Sequence, residues 1–181
     1  DVTVGEDGKL TTATKSIKDY TVVSAPSTLD QTWTSGWYVV NSTIKADSSL
    51  FIVNGDVKLI LCDGYELSTM HIIVSGDGNS LTIYGQANGT GKLTIDVGDE
   101  GNLAGIGGTD SPATKDGSNI TINGGIVTAT GGEHGAGIGG GDSGNGSNIT
   151  INGGTVTANG GDKSAGIGGG GSGNGSNITI N

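Results

Sequence analysis

"GSNITINGGTVTANGG", residues 146–161, repeats almost residue for residue the stretch GSNITINGGIVTATGG, which begins at Gly117. The motif SNITIN begins at Ser118 and returns, at a constant interval, at Ser147 and at Ser176. Self-similarity at a fixed period is typical of an architecture in which equivalent units stack on one another. The sequence therefore predicts a repetitive fold in the C-terminal half of the chain.

Each repeat contains three short extended pieces separated by glycine-rich bends. In the repeat that begins at Ser118 these pieces are NITIN, IVTA and AGIGG. Isoleucine and threonine alternate in NITIN, which is the period of a strand with one buried face. Ile120 and Ile122 are predicted to point into a core and Thr121 to point outwards. The bends NGG, GG and GGDSGNG supply residues that tolerate a positive φ.

Three strands and three bends in each repeat fit one coil of a parallel β-helix. Stacked coils lie about 4.8 Å apart, so equivalent residues form ladders. An antiparallel sandwich is the alternative, but it gives no reason for a repeat of constant length. The predicted fold class is all-β, a single-stranded parallel β-helix solenoid with about 29 residues per coil in its C-terminal half. The predicted core ladders are Ile120–Ile149–Ile178, Ile122–Ile151–Ile180 and Val127–Val156.

The N-terminal segment, residues 1–56, differs in composition from the repeats. It contains both tryptophans, Trp33 and Trp37, and the only phenylalanine. An uncovered first coil would expose apolar core and unpaired backbone. Residues 1–56 are therefore predicted to form an N-terminal cap and a first irregular coil.

Residues 57–181 are predicted to form the coils of the solenoid. The stretches KLILCDG, from Lys58, and SLTIYG, from Ser80, resemble degenerate copies of the SNITIN strand, with unequal spacings to the next copy. The last repeat breaks off within a strand at Asn181. We therefore expect the array to continue in a longer polypeptide with further modules.

Charge and composition restrict the classes of partner. The net charge of −10 disfavours nucleic-acid phosphates and anionic membranes. No run of residues is long and apolar enough to suggest insertion into a bilayer. The eight basic residues are all lysine, so arginine, the usual bidentate ligand of carboxylate and phosphate, is absent.

The order of these motifs resembles a known group of proteins. GWYVVNSTI, GDVKLILCDGYEL, GNSLTIYGQANGTGKLTI and the AGIGG and GSNITINGGTVTA units, from Gly36 onwards, look like the right-handed β-helix domains of large secreted or wall-attached bacterial surface proteins. Their fold is of the pectate-lyase-like class. The resemblance implies a right-handed solenoid at the cell surface, with a role in adhesion, in binding a polysaccharide or host or cell-wall glycan, or in spacing other modules.

The same resemblance raises the alternative of a polysaccharide lyase or glycoside hydrolase. Pectate lyases of this fold hold Ca²⁺ with clustered aspartates and use an arginine as base, and this chain has no arginine. Galacturonan hydrolases need an Asp-Asp pair with His-Gly and Arg-Lys elements, of which only His134-Gly135 is present. The module is therefore predicted to be non-catalytic, although a catalytic part could lie beyond Asn181.

Acidic residues recur at one place in successive repeats. Glu133 and Asp162 are equivalent, and Asp99 and Glu100 stand just before that place in the preceding unit. Stacking would set these carboxylates in a column about 5 Å apart. In water two carboxylates at this distance repel each other by only about 1 kcal/mol, so the column can form without a bound ion. A Ca²⁺ bridge, with Asp142 as a further ligand, is the functional interpretation. Calcium is the only cofactor that the pattern suggests, and the calcium-binding nonapeptide is not matched.

Aromatic side chains are the usual platform for sugars, because the apolar face of a pyranose packs on a ring. Trp37, Tyr65 and Tyr84 are the candidates for carbohydrate binding; the alternative is that Trp37 fills the cap and Tyr84 lies at a strand edge. No aromatic residue follows Tyr84, so the later coils would bind a glycan through Asn, Asp and Thr. The asparagine columns Asn119/Asn148/Asn177 and Asn123/Asn152 are predicted to bond either the bends or their copies in the next coil.

Overall fold

The computed structural model describes residues 2–4, 10–12, 16–26, 30–98 and 101–181, the first two segments by their backbone only. Throughout these residues the chain is all-β, and no helix of a length and hydropathy suited to crossing a bilayer occurs among them. The strands are β1 (Val2–Val4), β2 (Leu10–Thr12), β3 (Thr21–Val22), β4 (Asp30–Val40), β5 (Ile44–Leu61), β6 (Glu66–Ile73), β7 (Ser80–Gly85), β8 (Lys92–Asp96), β9 (Ile106–Gly107), β10 (Gly117–Ile122), β11 (Ile126–Thr130), β12 (Ile138–Gly139), β13 (Gly146–Ile151), β14 (Thr155–Asn159), β15 (Ile167–Gly168) and β16 (Gly175–Ile180).

The strands from β3 onwards stack in parallel on three faces, and every turn of the chain visits each face once. Face I joins β3, the ends of β4 and β5, and β7, β10, β13 and β16. Face II joins the starts of β5 and β6 with β8, β11 and β14. Face III joins the start of β4, the middle of β5, the end of β6, and β9, β12 and β15. This is the predicted parallel β-helix solenoid.

The register of the C-terminal coils is the one that the repeat predicts. Ile120 pairs with Ile149 and Ile149 with Ile178, so successive coils here have the same length. The earlier register differs from the sequence alignment, which matched Lys58 with Ser80. In the structure Lys58 pairs with Thr82, further along the same strand. Both positions lie on the same side of the strand, because the side-chain period of a strand is two. The alignment of Ser80 with Ser118 was also wrong, by one residue, since Leu81 pairs with Ile120.

The core is a set of continuous apolar ladders inside the three faces. The three predicted ladders form in register, and the inward side chains of the middle coils are fully buried. Each buried aliphatic side chain contributes about 1.5–3 kcal/mol of hydrophobic free energy. Ile178 and Ile180 lie in the final coil, which has a neighbour on one side only, and they are 36% and 66% exposed.

The N-terminal part joins the solenoid before the predicted boundary between residues 56 and 57. The parallel ladder of face I begins at Thr21, and β5 runs without a break across that boundary. Trp33 is buried and its ring packs against Phe51, with the ring centroids 4.5 Å apart. β1 and β2 form an antiparallel pair. The predicted cap stays a prediction, because residues 1, 5–9, 13–15 and 27–29 lie outside the described residues.

Asparagines link the coils at the corners that flank face I, as the sequence predicts. Asn119, Asn148 and Asn177 adopt positive φ angles of 58°, 53° and 50°. Each of the last two donates its side-chain N–H to the side-chain oxygen of its copy in the preceding coil, at 3.1 and 2.6 Å. Asn152 donates in the same way to Asn123 at 2.8 Å. These amides thus have the structural role that the sequence predicts for them.

Candidate functional site

Two of the three predicted sugar-binding aromatics meet on the outside of face I. Trp37 lies on β4 and Tyr84 on β7, with β5 between them. Their ring centroids are 5.4 Å apart and the ring planes are inclined by 36°. Both side chains are half-buried. The pair, which we call the aromatic pair, reaches across one intervening strand and forms an apolar patch on the outside of face I.

Charged groups stand beside the aromatic pair. The Lys58 ammonium lies 5.8 Å from the centroid of the Trp37 ring and forms an ion pair with Asp56. The Asp56 carboxylate also accepts a hydrogen bond from the Ser80 hydroxyl at 2.9 Å. The hydrogen bond from Lys58 lowers the pKa of Asp56, so this carboxylate is held in its charged form. An apolar patch thus adjoins fixed donors and acceptors.

Tyr65 lies apart from the aromatic pair, at the corner between β5 and β6. Its ring is 42% exposed and takes no part in the ring contacts found among the described residues. The corner is tied to the next coil by Asp63, whose carboxylate accepts hydrogen bonds from the backbone N–H groups of Thr90 and Asn88 at 2.9 and 3.0 Å. These bonds lower the pKa of Asp63. Tyr65 is therefore a separate, exposed aromatic on an ordered corner.

A polar groove of about 750 Å³ runs along the corner where face III turns into face I. We call it the corner groove. Charged side chains line one end of the groove, and hydroxyl and amide groups from three successive coils line the rest of it. The charged end holds Asp77, Lys115 and Asp116, and the coils supply Ser118, Asn119, Asn145, Ser147, Asn148, Asn174 and Ser176.

The groove was not identified from the sequence, although one signal for it was present. The connection TDSPATKDG between β9 and β10 is longer than GDSGNG, which follows β12. This insertion supplies Pro112, Ala113, Lys115 and Asp116 to the lining. An insertion at one corner of a solenoid builds a local wall, because the neighbouring coils do not extend as far.

The predicted metal ligands do not form one group in the part of the chain that the structure describes. Glu133 and Asp162 are both exposed at the corner between faces II and III, in successive coils. Asp142 lies at the next corner, where its carboxylate accepts a hydrogen bond from the Ser143 hydroxyl at 3.2 Å. Asp99 and Glu100 lie outside the described residues. No three His, Cys, Asp or Glu side chains among those described are placed to hold a metal ion, and calcium binding stays a prediction.

His71 is a buried polar residue that the sequence did not single out. Its Nδ1 lies 3.1 Å from the carbonyl oxygen of Gly105, and its Nε2 is buried without a partner among the described residues. Burial lowers the pKa of His71 to about 4, because an apolar surrounding disfavours the charged ring. It lies on β6 directly before Ile72, which pairs with Ile106 on face III.

Comparison with known proteins supports the fold. Residues 120–142 and 149–171 match a protein family described as a beta helix repeat. The two matches fall on successive coils, and each begins at an inward isoleucine of face I, Ile120 or Ile149. No curated protein and no solved structure matches the chain. The match bears on the architecture and leaves the activity open.

Proposed function

We propose that this solenoid is a non-catalytic module that binds polysaccharide at a bacterial cell surface. The observation that carries the proposal is the contact between Trp37 and Tyr84 on the outer side of face I. Host or cell-wall glycans are the partners that this surface suits. The module would serve adhesion or, at the least, hold neighbouring modules at a distance.

The chemistry of the aromatic pair suits a sugar ring. One face of a pyranose carries C–H groups and packs against an aromatic ring, while its hydroxyls need donors and acceptors at the edge. Asp56 and Lys58 stand at that edge, already oriented by their ion pair and by the Ser80 hydroxyl. Because these groups are held before a ligand arrives, little side-chain entropy is lost on binding.

Removal of the aromatic pair tests the proposal. In titrations against a panel of neutral and acidic plant, bacterial and host polysaccharides, we expect the wild-type protein to bind at least one glycan. The Trp37→Ala and Tyr84→Ala variants should each weaken that binding by about tenfold or more, since a lost stacking contact of about 1.4 kcal/mol corresponds to tenfold. Tyr20→Ala is the matched control, because Tyr20 is exposed and takes no part in the described ring contacts.

Two results would contradict the proposal. One is the absence of binding to every glycan in the panel, which would favour the role of a plain spacer. The other is unchanged affinity in both variants while their melting temperatures stay at the wild-type value. Tyr65→Ala, measured in parallel, shows whether the aromatic at the neighbouring corner contributes independently.

Catalysis by this fold is the second candidate, because two carboxylates, Asp77 and Asp116, line the corner groove together with Lys115. A glycoside hydrolase uses a pair of carboxylic acids on either side of the scissile bond. A reducing-sugar assay on the same polysaccharides decides between the candidates. Release of new reducing ends that disappears in Asp116→Asn would establish an enzyme; intact polysaccharide after prolonged incubation supports a binding module.

A further inference from the structure

The corner groove presents a regular array of unused hydrogen-bonding groups. Ser118, Ser147 and Ser176 pair in register across β10, β13 and β16. Their hydroxyl groups make no hydrogen bond to any described residue, whereas the side chains of Asp116 and Asn145 accept bonds from backbone N–H groups of the next coil. Each coil therefore offers one free hydroxyl to the groove, at an interval of about 4.8 Å along the axis.

A second free group accompanies each of these hydroxyls. The Asn148 side chain donates one N–H to Asn119 and accepts one from Asn177. An amide nitrogen carries two hydrogens, so one N–H of Asn148 remains for a ligand. The coil-to-coil bonds fix the plane of the amide, and with it the direction of that N–H. The array is thus a repeated pair of groups, one hydroxyl and one oriented N–H.

The wall of the groove is held in place before any ligand binds. Within the insertion, the Thr109 backbone N–H donates to the carbonyl oxygen of Thr114 at 2.8 Å, and the two threonine hydroxyls lie 2.6 Å apart. The insertion is also bonded to the next coil. The carbonyl oxygen of Lys115 accepts from the N–H of Gly141 at 2.8 Å, and the Asp116 carboxylate accepts from the N–H of Asn145 at 2.7 Å. A preformed wall lowers the entropy cost of binding.

We propose that the corner groove binds a linear, neutral polysaccharide parallel to the solenoid axis, with one sugar ring for each coil. This inference rests on the proposed function, because the ligand is the same glycan, bound at a second site on the module. One ring of an extended glycan advances by about one coil spacing, so the same contacts recur along the chain. Side chains on one side of an extended peptide instead recur at about 6.6–6.8 Å, twice the rise per residue, which does not match the array.

The charge of the groove selects against acidic chains. Asp77 and Asp116 outweigh Lys115 at its charged end, and the whole protein carries a net charge of −10. A polyuronate would bring one carboxylate per sugar against this field, and like charges at such distances repel. A neutral chain meets no such repulsion and bonds through its hydroxyls.

Length dependence of binding is the sharpest test. The probes are neutral gluco-, manno- and xylo-oligosaccharides of one to six sugars, with oligogalacturonates of the same lengths, titrated by calorimetry. We expect affinity for one neutral series to rise with each added sugar and to level off near three, the number of coils with a groove serine. Oligogalacturonates should bind more weakly at every length.

The variants separate the groove from the aromatic pair. Replacement of Ser118, Ser147 and Ser176 by alanine together should flatten the length dependence, and Ser147→Ala alone should weaken binding of the trisaccharide about fivefold, as expected for one hydrogen bond. Thr157→Ala is the matched control, because it removes an exposed hydroxyl from face II. Trp37→Ala should leave the length dependence in place, because Trp37 lies on β4, three strands from β10 on face I.

The outcomes distinguish the two proposals. If the triple alanine variant keeps the wild-type melting temperature and the wild-type length dependence, or if oligogalacturonates bind more tightly, the groove proposal is wrong. If binding depends on Trp37 and is independent of chain length, the groove proposal fails and the proposed function stands. If the wild-type protein binds none of the probes and no polysaccharide of the wider panel, both fail.

Discussion

The side-chain amide of Asn177 donates a hydrogen bond to the side-chain oxygen of Asn148, 2.6 Å away in space and 29 residues away in sequence. Asn148 has a positive φ of 53° and makes two such bonds, one to each neighbouring coil. A single residue therefore serves three coils. Its side chain bridges them, and its backbone turns the corner into face I.

Substitution of Asn148 should separate these two contributions. Asn148→Gly removes both side-chain hydrogen bonds but keeps the positive φ accessible, so we expect a loss of about 2 kcal/mol in the free energy of unfolding. Asn148→Ala removes the same bonds and adds about 1 kcal/mol of backbone strain. Urea denaturation of the two variants measures the difference. Equal stability of both variants would show that the backbone strain is absent, and wild-type stability in both would show that the ladder contributes nothing.

A charge placed on the inner side of face I should abolish the fold. Ile149 is fully buried between Ile120 and Ile178 in the core ladder. Ile149→Asp would bury an unpaired carboxylate, at a cost larger than the stability of a typical domain allows. We expect no cooperative thermal transition for this variant. Thr150→Asp is the matched control, because the next side chain of the same strand points outwards. A cooperative melt of Ile149→Asp near the wild-type temperature would contradict the coil assignment.

Glycine is required at one corner because of close contact as well as φ. Gly139 has a φ of +137°, and a β-carbon there would overlap the carbonyl oxygen of Gly168 in the next coil. Gly64 has a φ of +80° with open space around the missing β-carbon. Gly64→Ala should therefore cost about 1 kcal/mol, and Gly139→Ala several times more, since coil stacking itself must give way. Chemical denaturation measures the loss in the free energy of unfolding for each variant. Equal losses would show that the coils can move apart at Gly139 without a loss of stability.

Stability should fall as the pH is lowered from about 6.5 to about 4. His71 is neutral in the folded protein, with a pKa of about 4 against the usual value of 6.5, so the unfolded chain binds more protons in this range. The contribution of the neutral ring is complete above pH 6.5 and is lost as the pH falls to about 4. The full loss is about 3 kcal/mol, because each pKa unit corresponds to about 1.4 kcal/mol.

His71→Leu should remove this pH dependence and raise stability at pH 5. Leucine has no buried nitrogen without a partner and so escapes both the desolvation cost and the protonation. Urea denaturation between pH 4 and 7 measures the effect, with His134→Gln as the control that should keep the dependence. The Asp56 and Asp63 carboxylates affect stability at lower pH. Their pKa values in the folded protein lie below the usual value of 3.8, so their contribution to the free energy of unfolding is lost only as the pH falls below about 3.8. If the free energy of unfolding of His71→Leu still fell with decreasing pH over this range, a group other than His71 would be responsible for the pH dependence.

The fold followed from the sequence because the repeat is regular. Alternation in NITIN identifies the inward isoleucines, and the constant interval between copies places each isoleucine below its equivalent. The same interval predicts the ladder from Asn119 to Asn177. In the earlier coils that regularity is lost, and the alignment of Lys58 with Ser80 was wrong, since Lys58 pairs with Thr82. The alternation of residue types along a strand identifies which side chains point inwards. It does not identify the residue with which each one pairs in the next coil when the coils differ in length.

The sequence by itself therefore determined the all-β solenoid, the core ladders and the asparagine columns, since each depends only on period and residue type. Only the tertiary structure decided that Trp37 meets Tyr84, because the lengths of the coils between them place β4 and β7 on either side of β5 with the two side chains close together. The corner groove likewise depends on how far one insertion extends beside the next coils. His71 carries no sequence signal of its burial, because whether a polar side chain enters a core depends on the packing around it and not on its neighbours in the chain.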